Sequence, residues 1–262
     1  MIALVRSLTT FLLASTWVWL ADAAVPYDEI WLNPSSAPDR SPATEVENTR
    51  SVYDEMLVAN GINPSSDKGR LILAWVARIN ADSMIKGNAH RSSRIFLNPR
   101  ARAELMADGL ERLAPGLRLQ YVSLIAKFLD TLVPFDCFGL NDMSAVVDRI
   151  SLSAMSEADI DAYFRVLLAA LRASGLETRL DTPSAQQYED ADESLRRSLL
   201  HQLGYLPANI ARYAAYSQNP RAAAPVEACW AMRVTMHAIL ALPDPERDIV
   251  LRRTVRSQRV AH

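Results

Sequence analysis

The sequence predicts an all-α protein, a single compact bundle-like domain of about nine or ten helices, from three observations. Apolar residues recur at the 3.6-residue helical spacing through most of the chain beyond Pro42. Cap residues and prolines punctuate these stretches at helix-length intervals. Glycine is scarce, with eight in 262 residues, and no alternating strand pattern or internal repeat interrupts the reading.

The first element stands apart from that domain. Residues 1–24 read as a signal peptide: Arg6 precedes an uncharged stretch from Ser7 to Ala21, and Ala21-Asp22-Ala23 has the small-x-small pattern of a cleavage site. Cleavage after Ala23 or Ala24 fits equally well. The alternative is an uncleaved anchor, but a spanning helix needs about 20 apolar residues, and Asp22 breaks this stretch early. No cysteine near the cleavage point marks a lipid attachment site. No later segment reaches spanning length without charge. The expected product is a soluble protein of the periplasm or extracellular space, without a stable transmembrane span.

Residues 25–44 read as an extended, Pro-rich arm. Pro26, Pro34, Pro38 and Pro42 lack amide donors and restrain their predecessors. Tyr27, Ile30, Trp31 and Leu32 are expected to dock on the body, with a partner-binding arm as the alternative. Residues 45–262 form the helical domain. Its first signalled helix has Asp67 as cap and Ile72, Trp75, Val76 and Ile79 on one face. Asn98-Pro99 pairs a cap with a proline at the first helical position, ahead of Leu105, Met106, Leu110 and Leu113. After Pro115-Gly116 comes the stripe Tyr121, Leu124, Ile125, Phe128, Leu129 and Leu132, ended by Pro134; Met143 to Ile150 mark a shorter helix. Ser156 with Asp159 opens the clearest helix, whose face runs from Ile160 through Phe164 and Leu167 to Leu171, with Gly175 as its closing residue. Ser184 and Gln187 form a capping-box pattern for a helix ended by Gly204. Pro207, Pro225 and Pro245 each start a further one.

The chain has two cysteines, Cys137 and Cys229. An exported chain with an even count predicts a disulfide between them; two buried free thiols are the alternative. A nucleophile would need a base, and His237 lies about 12 Å along the helix axis from Cys229.

Net charge is −2, so nothing overall favours nucleic acid, which export also argues against. No metal or cofactor pattern is present. His90, His201, His237 and His262 lack metal spacing, and His201 and His237 read as partly buried, hydrogen-bonded helical residues. Gly139 to Asp142 fits the G-x-N-D block of one class of serine esterases, without that class's nucleophile block, and Asn141 and Asp142 read as helix caps. Glu193-Ser194 resembles the Glu-Ser pair of lytic transglycosylases, without the glycine-rich block that follows it. The acids of the run Tyr188 to Glu193 read as favourable partners of a helix N-terminus.

Two basic clusters remain. Lys86, Arg91, Arg94, Arg100 and Arg102 surround the one long loop and lead into a helix start, a candidate site for an anion or an acidic partner surface. The alternative is a solvated face balanced by residues 136–193, with twelve acids against four arginines. Arg247, Arg252, Arg253, Arg256 and Arg259 form a basic C-terminus that reads as a frayed tail, with weak contact to anionic lipid or to an acidic partner as the alternatives. The function expected is non-catalytic binding of a protein or other envelope macromolecule, of adaptor, inhibitor, immunity or chaperone type. The alternative is an envelope hydrolase whose carboxylates meet only in the fold.

Overall fold

The computed structural model describes residues 52–86, 99–174 and 181–257. The leader, the Pro-rich arm, Arg91, Arg94, Asn98, Gly175 and Arg259 lie outside the described residues. Among the described residues there are eleven α-helices and no strand, as the periodicity predicts. They are α1 (residues 52–59), α2 (Asp67–Ala81), α3 (Ser83–Lys86), α4 (Pro99–Arg112), α5 (Pro115–Thr131) and α6 (Met143–Asp148). The chain continues through α7 (Glu157–Ser174), α8 (Ala185–Gln202), α9 (Pro207–Gln218), α10 (Pro225–Leu240) and α11 (Glu246–Ser257). Helices α1 and α3 were not foreseen individually. Among the described residues no helix is long and apolar enough to cross a membrane.

Local chemistry sets most boundaries. Ser184 accepts from the Gln187 amide while the Gln187 side chain accepts from the Ser184 amide, the reciprocal box its sequence announces. At α7, Ser156 Oγ accepts from the Asp159 amide and donates to the Asp159 carboxylate. The cap of α2 is Ser66 rather than Asp67: Ser66 Oγ accepts from the Gly69 amide at 3.0 Å, and Asp67 opens the first turn, paired with Arg70. Asp142 caps α6, but Asn141 does not; it donates to the Arg221 carbonyl.

Helix α7 is the hub of the N-terminal half and packs against α2, α3, α4 and α5. At its contact with α4 the backbones nearly touch: a Cβ on Gly109 would sit 2.0 Å from the Ala170 carbonyl oxygen. Helix α10 is the hub of the other half, packed on α5, α8, α9 and α11. Two apolar cores result, one around Phe128, Ile160, Phe164 and Leu167, the other around Leu199, Tyr213, Ala231 and Ile249. Helix α5 joins them, giving Leu124, Ile125, Phe128 and Leu129 to the first and Val122 to the second.

Two arginines tie helix ends together. Arg118, fully enclosed, donates Nε to the Leu110 carbonyl at 2.8 Å, Nη2 to the carbonyls of Glu111 and Leu113, and Nη1 to Asp248. It therefore satisfies the open C-terminal carbonyls of α4 while anchoring α11. Burial pulls its guanidinium below the usual arginine value, and the Asp248 carboxylate opposes that pull. Arg233 does the same for α5, donating to the carbonyls of Leu129, Val133 and Pro134.

Cys137 and Cys229 are joined in a disulfide spanning 92 residues, with Cα atoms 5.3 Å apart. Both are fully buried, and the bridge pins the segment after α5 to α10. Cys137, Phe138 and Gly139 all have positive φ, at 50°, 59° and 76°. A non-glycine residue pays about 1–2 kcal/mol for that conformation. The covalent link and the turn bonds from the Cys137 and Gly139 amides hold it in place.

Candidate functional site

Helices α2 and α7 place five aromatic or charged side chains around a cleft of about 310 Å³. From α2 come Trp75 and Arg78, one turn apart; from α7 come Asp161 and Arg165, also one turn apart, with Arg172 two turns further along. Leu117 of α5 and Leu168 and Ala169 of α7 supply an aliphatic lining. The volume lies at the lower end of the range for small-ligand sites.

A network fixes these groups. Trp75 Nε1 donates to Asp161 Oδ1 at 3.1 Å, and Asp161 also accepts from Arg165. Trp75 is only 7% exposed; Phe164 stacks against it with ring centroids 6.3 Å apart, and the Arg78 guanidinium lies 4.9 Å from its ring centre. Arg172 donates Nε and Nη2 to Asp82 at 2.8 and 2.6 Å. That hydrogen bonding holds the Asp82 carboxyl below its ordinary value, although burial works the other way. Arg78 has no carboxylate partner among the described residues. Three arginines thus meet two carboxylates, and the cleft carries excess positive charge. Its own acids are already engaged by Trp75, Arg165 and Arg172, so the groups with donors to spare are guanidiniums.

Three residues of the sequence-predicted basic segment fall among the described residues, and none lines the cleft. Lys86 closes α3 and Arg100 and Arg102 lie in the opening turns of α4; both helices pack on α7. Arg91 and Arg94 fall outside the described residues. The other charged runs are absorbed by the fold. Asp192 pairs with Arg253, and Glu193 pairs with Arg196; both acids sit beyond the first turn of α8, so a helix-dipole role does not describe them. Arg247 pairs with Asp244 and Arg252 with Asp248, which ties much of the basic C-terminus inward. The two helical histidines are exposed rather than partly buried: His201 stands edge-on to Tyr205, while His237 does make the expected hydrogen bond, to Asp130.

Asp142 is another perturbed acid of this half. Burial raises its pKa, opposed by the helix-capping bonds from the amides of Ala145 and Ser144. Among the described residues no group of three or more His, Cys, Asp or Glu could hold a metal ion. Comparison with known proteins finds no matching family model, curated protein or solved structure.

Proposed function

We propose that this chain is an exported, non-catalytic binding protein of the periplasm or extracellular space, and that its α2/α7 cleft takes an anionic group from another macromolecule. The observation that carries this reading is the cleft's excess of arginine over carboxylate on an aliphatic lining. A guanidinium offers five donors in a planar fork suited to carboxylate and phosphate. Two further features support export. The N-terminal 24 residues have the layout of a cleavable leader. The disulfide is a crosslink that oxidising compartments maintain. The basic run from Lys86 to Arg102 is, by its charge, a second contact region proposed for the same partner.

Two measurements test the reading. The N-terminus of the chain recovered from secreted or periplasmic fractions should begin at Ala24 or Val25. The oxidised chain should capture a stoichiometric partner from those fractions, and Arg78→Glu should release it, as should Arg91→Glu/Arg94→Glu to a lesser degree. A cytosolic product with an intact leader, or a partner list indifferent to Arg78→Glu, contradicts the proposal.

A further inference from the structure

Resting on that reading of the cleft, we infer the class of ligand: an acidic peptide segment of a partner protein, with one carboxylate side chain next to an aliphatic residue. Leu117 and Ala169, both half-buried, present aliphatic carbon over the buried Leu168, against which an aliphatic side chain is stabilised by burial alone. A sugar ring or a nucleobase is held differently, by stacking on an open aromatic face. Trp75 offers none: it is 7% exposed, with Phe164 stacked on it and Arg78 over its ring.

The rim selects the charged half. Arg78 lacks a carboxylate partner among the described residues, and Arg165 and Arg172 are each held by one carboxylate, Asp161 and Asp82. These acids restrain the two guanidinium forks, so less side-chain freedom is lost when a ligand arrives. They also cancel most of the charge, leaving an excess that one carboxylate matches and a phosphate dianion or a run of acids does not. A volume of about 310 Å³ accommodates two or three side chains of a peptide rather than a folded surface.

The test is a titration of the ¹⁵N-labelled oxidised chain, following the Trp75 indole signal and the Nε–H signals of Arg78, Arg165 and Arg172. The probes are the blocked peptide acetyl-Leu-Glu-Leu-amide, its Leu-Gln-Leu counterpart, digalacturonate and inorganic phosphate. The glutamyl peptide should shift these signals saturably, with at least about tenfold weaker binding for the glutaminyl peptide and for Arg78→Gln, the size expected for one charge-assisted bond. The Trp230 indole signal should stay put and shows that each variant is folded. Tighter binding of digalacturonate or phosphate, or equal binding of the two peptides, overturns the peptide assignment. So does the absence of any shift. Partner capture lost in Arg78→Glu would then still uphold the binding reading, whereas capture indifferent to Arg78 would remove that reading whatever the probes do.

Discussion

Replacing Arg118 with methionine removes the group that joins α4, α5 and α11. The side chain is fully enclosed and makes bonds to the carbonyls of Leu110, Glu111 and Leu113 as well as to Asp248. Methionine fills much of the same volume, so the effect reads out the polar contacts rather than a cavity. Three helix-end carbonyls lose their donor, and among the described residues Asp248 keeps the Arg252 pair. Breaking a buried pair from one side costs about 3–5 kcal/mol, a large part of the 5–15 kcal/mol typical of a domain's total stability. Guanidinium denaturation under oxidising conditions should show the midpoint falling by about 1 M, taking a slope of about 4 kcal/mol/M. Arg118→Lys keeps the charge with fewer donors and should fall between the two. Arg118→Met combined with Asp248→Asn should lose less than the sum of the single changes, because the second removes the stranded charge. A loss below about 1 kcal/mol for Arg118→Met would refute the assignment.

Other perturbations bear on separate parts of the account. Cys137→Ser/Cys229→Ser releases a 92-residue constraint and should cost about 4–5 kcal/mol, measured by denaturation against the oxidised parent. Gly109→Ala places a Cβ 2.0 Å from the Ala170 carbonyl oxygen, forcing α4 and α7 apart, with a loss of about 2–3 kcal/mol. Gly116→Ala meets nothing within 4 Å and should leave the melting temperature unchanged or slightly raised. The folded-state pKa of Asp82 lies below its ordinary 3.8, so its contribution is present above that value and disappears as pH falls through the lower one. Asp82→Asn should therefore cost less than about 1 kcal/mol at neutral pH, given how exposed Arg172 is, and its stability should converge with the parent's in strong acid.

The helical architecture is legible because its signals are local. Ser184 with Gln187, Ser156 with Asp159, and prolines 207 and 225 act within one turn of the helices they start. Where two neighbours compete for one role, sequence alone does not choose, and Ser66 displaces Asp67 by also donating to the Asn63 carbonyl. Arg118 lies one turn before Tyr121 and Val122, at core spacing, yet its partners are main-chain carbonyls and an acid 130 residues away. The disulfide was predictable because only one pairing exists. The cleft was not, since Trp75 meets Asp161 across 86 residues and Arg172 meets Asp82 across 90. The one local sign was the set of charges on α7, with Asp161, Arg165 and Arg172 four and seven residues apart on a single helix face. Such a stripe reads as a solvated surface until the neighbouring helix is in place.

The binding claim is tested most directly by photocrosslinking in the cell. A benzoylphenylalanine in place of Ala74, exposed one turn from Arg78, should yield a discrete adduct that vanishes when Arg78→Glu is added. The same group in place of Phe135, 73% exposed on the disulfide-bound loop, should yield none. An adduct from position 135 alone, or one from position 74 that survives Arg78→Glu, would place the partner away from the arginines and contradict the account.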